Sequence, residues 1–483
     1  MQLFLINYDT HYEIEQLSRM FFRELTVTKT ADRPQLPEDD YILIENKGGS
    51  FDISISCKGA QYAHSLTVDP QGAKEEMQLC IAAYRLYEKA TGAGLPWGVL
   101  TGVRPVRLMR NLYKKDENIQ NVINKFKNEY LVSDEKIQLC TEIFNLQRPV
   151  IESGKPNDYS LYISIPFCPS RCSYCSFVST STKSAGHMMA GYVDNLCREI
   201  RYTARKAEEA GLNLKTIYMG GGTPTAITAP MLEQVMKTVQ ECFDLSKVEE
   251  YTVEAGRPDC TDLEKLMIIK KYGADRVSIN PQTFSDNVLK AIGRNHSHED
   301  FLRCVADARK AGFDSINMDL IAGLPEDTVE GFERSLRGCI ELGAENITVH
   351  TLTLKRASNL VIRNEEHHYD DVEKMIAKNS ILADYGYKPY YMYRQKSTVK
   401  NLENVGFSQS GHESLYNMYI MEEIQTIISC GAGGVSKVVG PQGEIDRVYN
   451  YKYPNEYIKD FDAILRRKDE VFDLCRQYGF RKG

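Results

Sequence analysis

Short apolar runs separated by amphipathic stretches organise most of this chain. From Tyr159 onward six such runs, LYISI, TIYMG, YTVEA, RVSIN, SINMDLI and NITVHTL, alternate with helical patterns near 188–210, 230–243, 261–272, 285–291 with 298–312, and 328–342. Apolar runs that alternate with a 3.6-residue period describe parallel strands joined by crossover helices. Six units of this kind build either a partial (β/α) barrel or an open doubly wound sheet. The polar residues at the strand ends, described below, favour an α/β chain with a partial (β/α)6 barrel over residues 156–369.

Residues 1–155 follow another pattern. FLINY, YILIEN, FDISISC and the stretch after Tyr62 alternate as half-buried strands do, and a helix follows at about 74–90. A Gly/Pro-rich connection, GAGLPWGVLTGVRPVRL, then leads to two more helices. This predicts an N-terminal α+β accessory domain that carries no catalytic constellation. After Tyr369 the period loosens, and helices, the strand PYYMY and the glycine cluster CGAGG predict a C-terminal region, 370–483, that covers or extends the barrel.

A length of 483 residues suits two or three domains, and 42% hydrophobic against 26% charged residues supplies an ordinary core. The net charge of −7, with Lys and Arg scattered, argues against nucleic-acid binding, which favours a basic stripe. No basic start leads into an apolar run, and no stretch of about 18 apolar residues occurs, so the expectation is a cytoplasmic protein without a membrane span.

Of the 13 cysteines only one group is tightly spaced. YISIPFCPSRCSYCSF, directly after the first strand of the series, sets Cys168, Cys172 and Cys175 in a C-x3-C-x2-C pattern. Three thiolates on one loop suit three corners of a cubane iron–sulfur cluster and leave its fourth iron open, unlike the four-cysteine clusters of electron transfer. Two alternatives stand beside it. Structural zinc wants four N or S ligands, and no fourth Cys or His is near. A redox C-x2-C pair fits Cys172 and Cys175 but gives Cys168 no role. The remaining cysteines read as small buried hydrophobes in a reducing compartment.

The C-x3-C-x2-C spacing resembles the radical S-adenosylmethionine (SAM) superfamily. Within it, IPFCPSRCSYC resembles the oxygen-independent coproporphyrinogen III oxidases and their relatives. GGGTPT at 220–225, EAGRPD at 254–259, SINPQTF at 278–284, GRNH at 293–296 and DLIAGLP at 319–325 continue the resemblance in order over residues 159–440. The long N-terminal region with LTGVRPVRL looks most like the HemZ subgroup, the coproporphyrinogen dehydrogenases.

The resemblance implies a 4Fe-4S cluster on the three cysteines and SAM as cofactors. Its implied SAM contacts are Tyr162, Tyr174, Gly221, Gly222, Thr223, Glu254, Gln282, Arg294 and Asp319, with Val435 from GAGGVS as an adenosine contact. Glu254 suits the ligand's ammonium and Arg294 its carboxylate, while Gly220, Gly221 and Gly222 would let the backbone approach it. Glu254, Gln282, Asp319 and Thr351 all fall at or just beyond strand ends, which in a β/α barrel converge on one mouth. The implied reaction is oxidative decarboxylation of the propionates of coproporphyrinogen III to vinyl groups. A tetrapyrrole would be the substrate, with an electron donor and an acceptor as partners. Arg257, Lys355 and Arg356 are candidates for its carboxylates.

Two positions depart from the oxidases. Phe177 stands where they carry a further cysteine, and Ser164 where many carry histidine. A C-x3-C-x2-C-x-F sequence also resembles the HemW haem chaperones, whose HNxxYW motif is matched only by HESLYN at 412–417. That segment keeps His412 and Tyr416 but has Glu413 and Asn417. Haem delivery and another radical SAM reaction are therefore the alternatives.

Overall fold

The computed structural model describes the whole chain apart from His11, Arg23, Asp39, Val103, Ser176, Val178, Asn359 and residues 355–357, 361–370, 396–397 and 481–483. Cα packing groups the chain into Met1–Phe144 and Asn145–Gly483.

The first unit has strands β1 (Gln2–Ile6), β2 (Thr26–Thr30), β3 (Tyr41–Asn46), β4 (Ser50–Cys57) and β5 (Ala60–Thr67), in the order β2-β1-β3-β4-β5. β1 runs parallel to both neighbours, and β3, β4 and β5 form antiparallel hairpins. Leu3, Leu5, Ile42, Ile44, Ile53 and Ile55 bury one face against Leu17 and Tyr87 from helices Tyr12–Phe21 and Glu75–Thr91. The pattern did not announce β2. TVTKT is an edge strand with no buried residue, so nothing selects an apolar alternation there. Three helices follow rather than the expected two. Glu117, at φ 54°, ends Pro105–Asp116, and the Asn118 side chain then accepts from Gln120 N–H to start Ile119–Asn128 ahead of Asp134–Ser153.

The second unit carries β6 (Asp158–Ile165), the short β7 (Phe167–Cys168) and β8 (Thr180–Ser181), then β9 (Asn213–Gly221), β10 (Glu250–Glu254), β11 (Arg276–Ser278), β12 (Ile316–Ala322) and β13 (Asn346–Thr351). β6 and β9 to β13 lie side by side in chain order, every neighbouring pair parallel. These six strands, with their crossover helices, are the partial (β/α)6 arrangement expected from the sequence. Their near-continuous burial is that of parallel strands covered on both faces. The helices begin where side chains cap them. Thr228 accepts from Met231 N–H, Asp262 from Lys265 N–H, Thr328 from Gly331 N–H, and Ser297 forms a capping box with Asp300.

Residues after 370 extend this sheet at both edges. β15 (Glu403–Ser408) pairs antiparallel with β13 and is flanked by β14 (Lys388–Arg394). At the other edge β16 (Thr426–Cys430) runs parallel to β6, followed by the antiparallel β17 (Val435–Val439) and β18 (Ile445–Tyr449). The helix Leu415–Glu422 touches both β9 and β14. Its Tyr416 ring stacks on Tyr218 of β9, with centroids 4.5 Å apart. No helix among the described residues is long and apolar enough to cross a membrane.

Candidate functional site

Because all six core strands point the same way, their C-terminal ends share one side of the sheet, and a cavity of about 340 Å³ opens there. Cys168, Cys172 and Cys175 form one wall, on the loop that leaves β7. Backbone bonds from Ser173 N–H to Ile292 O and from Cys175 N–H to Cys172 O hold that loop, and Thr180 N–H returns to Pro166 O. Burial raises the Cys168 thiol and pushes Cys175 up to about 11, so an arriving metal must displace protons there.

The remaining walls come from the strand ends. Tyr174, Gly221, Gly222, Thr223, Glu254, Gln282, Arg294, Asp319 and Thr351 all line the cavity. Asp319 does so from the middle of β12, not from its end as expected. Glu254 accepts from the Tyr218 hydroxyl at 2.7 Å. Burial, with the nearby charge of Asp319, lifts its carboxyl to about 7 in spite of that bond. Asp319 behaves oppositely. Burial opposes its charge, but His350, Asn317 and Thr348 outweigh burial and hold it below the usual carboxylate range. The His350 Nε2 lies 3.7 Å from Asp319 Oδ2, and Asn317 Nδ2 donates to Asp319 Oδ1 at 2.8 Å.

Further polar capacity is left open beside these two carboxyl groups. Gln282, at φ 66°, ties its backbone to Asp319 O and Ile321 N–H, while its buried Oε1 has no hydrogen-bond partner. Arg294 donates through Nη1 to Gly256 O and Asn280 O, and its buried Nε likewise has none.

Other expected residues sit elsewhere. Tyr162 is mid-strand on β6 and is not part of the cavity lining; its ring stacks on Tyr218 and Tyr416. Val435 opens β17, beyond β16 from the cysteine strand, and does not reach the lining either. Arg257 lines the cavity but is 4% exposed and paired with Asp259 through both ends of its fork, so it is not available to a substrate carboxylate. Lys355 and Arg356 lie outside the described residues.

The glycines also play a different part. A Cβ at Gly222 would meet Phe167 O at 2.5 Å, and one at Gly220 would meet the Glu254 carboxyl at about 3.0 Å. They let the β9 turn lie against the cysteine loop and make room for Glu254, and Gly221 and Gly222 line the cavity as well.

His412 is at the opposite end of the strands. Its carbonyl accepts from Arg276 and Asn346, the first residues of β11 and β13. Asn417 and Met421, farther along the same segment, do reach the cavity. Sequence reasoning missed Tyr218, Asn280, Asn317 and His350 as lining residues. Asn280 was visible within SINPQTF, and the others sit on strands whose inward face only the register identifies.

The donor set fits an iron–sulfur cluster. Cys168, Cys172 and Cys175 share one cavity wall on one loop, and three thiolates so placed can each take a different iron of a cubane cluster and leave its fourth iron open.

Comparison with known proteins agrees with this geometry. The radical SAM superfamily model matches residues 162–338. The oxygen-independent coproporphyrinogen-III oxidase-like protein HemZ of Bacillus subtilis is 34% identical, with 96% of each chain covered. The heme chaperone HemW of the same organism is 36% identical over 65% of this chain and 82% of its own length. The structure of Escherichia coli coproporphyrinogen III oxidase, HemN, superposes with a TM-score of 0.51 at 22% identity, covering 69% of this chain and 78% of that one, and shares the fold.

Proposed function

Because the chain belongs to the oxygen-independent coproporphyrinogen-III-oxidase-like family of the radical SAM superfamily, we propose that it converts propionate side chains of coproporphyrinogen III to vinyl groups. The superfamily uses a 4Fe-4S cluster and SAM. Bound together they supply one-electron chemistry that removes a hydrogen atom from an unactivated carbon. Each propionate, –CH2–CH2–CO2−, becomes –CH=CH2 by losing a hydrogen atom, carbon dioxide and one electron, which an acceptor must receive.

In this reading Cys168, Cys172 and Cys175 are the cluster ligands. The observation that carries it is their placement on one cavity with Glu254, Gln282, Arg294 and Asp319. Glu254 receives the ammonium of SAM, Arg294 faces its carboxylate, and Gln282 Oε1 and Asp319 take hydrogen bonds from the remainder. The substrate then lies toward β13, β14 and β15, where His350, Tyr391, Tyr393 and Asn404 line the cavity.

Haem binding is the second reading, favoured by the likeness to HemW and by Phe177, exposed at the cavity where the oxidases carry cysteine. One experiment separates the two. Anaerobically reconstituted protein is incubated with SAM, dithionite and coproporphyrinogen III. The oxidase reading expects 5′-deoxyadenosine and methionine in proportion to vinyl groups formed. Stoichiometric retention of added haem with no vinyl product would replace it with the chaperone reading.

A further inference from the structure

The Arg257 guanidinium uses all five of its N–H groups inside the protein. Nε and Nη2 donate to the two oxygens of Asp259 at 2.9 and 2.7 Å. The other Nη2 hydrogen reaches Ser170 Oγ at 3.0 Å, and Nη1 donates to Ser170 O at 3.2 Å and to Cys172 Sγ at 3.5 Å. Asp259 itself is fixed by the 3₁₀ turn Pro258–Cys260, which begins four residues beyond the last residue of β10. The side chain thus ties a strand end to the middle of the cysteine loop through a fork that is neither solvent-screened nor free to turn.

We infer that Arg257, oriented by Asp259, is a positioning residue that sets both the place of Cys172 and the reduction potential of the cluster it holds. The inference rests on the assignment of Cys172 as a cluster ligand. Reduction adds one electron and hence one negative charge to the cluster. A buried cation that donates an N–H to a ligating sulfur stabilises the more negative state, and net charge and hydrogen bonds to sulfur are among the determinants of cluster potentials. Asp259 tempers that charge and prevents the fork from turning into the cavity. Lysine cannot copy it, because a single ammonium cannot serve the carboxylate, the loop carbonyl and the sulfur together.

The test is an anaerobic redox titration of the reconstituted holoprotein, followed by the electron paramagnetic resonance signal of the reduced cluster. Arg257→Gln is compared with Arg257→Lys and wild type, at matched iron and sulfide content. At the wild-type midpoint, Arg257→Gln is expected to hold about tenfold less reduced relative to oxidised cluster, a displacement of about 59 mV to more negative potential for one electron. Arg257→Lys should fall between them, since it keeps the charge and loses the fork. If Arg257→Gln does not take up a cluster, the Lys variant decides by the same displacement. Variants that load fully and titrate with wild type overturn the inference. A wild-type protein that binds no cluster overturns the ligand assignment beneath it instead.

Discussion

Lys468 Nζ lies 2.9 Å from Glu199 Oε1, and both side chains are fully buried. The pair clamps a turn. Glu199 Oε2 accepts from Gly431 N–H at 2.8 Å and from the Tyr457 hydroxyl at 2.5 Å, while Asn450 Nδ2 donates to Glu199 Oε1 and Gly431 O. Beside it the Ser164 hydroxyl donates to Ala432 O, four residues ahead of Cys168. The C-terminal helix Phe461–Gln477 is in this way bonded to the root of the cysteine loop. Removing one charge from such a pair strands the other. Lys468→Met is therefore expected to cost about 3–5 kcal/mol in urea unfolding, and Glu199→Gln in the same chain should return part of it.

With Glu254 receiving the SAM ammonium as proposed, SAM affinity is expected to depend on pH. Its carboxyl, held at about 7 by burial, is mostly protonated below that pH and cannot then accept an ammonium as a carboxylate. Binding measured by calorimetry should be about tenfold weaker at pH 6 than at pH 8 and level off above. Glu254→Gln should bind weakly at every pH and lose this dependence. Without ligand the sign for stability is opposite. Between about 4.5 and 7 the folded state holds the proton more tightly than the unfolded chain, so stability present below this window is lost as pH rises through it.

Gly222→Ala should damage the site more than the fold. Its Cβ would press on Phe167 O at 2.5 Å and Phe167 N at 2.8 Å, both backbone atoms that cannot rotate away. The cysteine loop must shift, and iron content after reconstitution should fall while helical circular dichroism remains. Gly191→Ala is the control. It meets nothing within 4 Å on the helix Met189–Glu209, and should stabilise by up to about 1 kcal/mol.

His412→Ala should leave haem affinity and propionate turnover at wild-type levels, because the His412 carbonyl is bound at the N-terminal ends of β11 and β13, away from the cavity. Haem affinity lost in this variant, read by absorbance titration, would give the imidazole a ligand role that its position does not suggest.

The periodicity by itself determined the shared direction of the six core strands, and the polar residues at their ends favoured the side-by-side order of a partial barrel over a doubly wound sheet. Parallel strands buried on both faces need long apolar runs, and each crossover needs an amphipathic helix with a cap, and both leave local signatures such as Ser297 with Asp300. Once the direction is shared, residues following those runs must meet on one side, which is why Cys168, Glu254 and Gln282 could be grouped from spacing alone. What tertiary structure decided was partnership. Arg257 looked like a free cation until Asp259 and Cys172 were found around it, 85 residues from the cysteine it contacts. Glu199 and Lys468 gave no sign of each other, since a buried ion pair between distant helices has no period. Tyr162 and Val435 carry the right residue types at suggestive positions, yet strand register turns one into a stack with Tyr218 and sets the other beyond β16. Local patterns record which face of an element is dry. They cannot record which distant polar atom that face will meet, because the energy of a buried hydrogen bond depends on a geometry that exists only after the chain has closed.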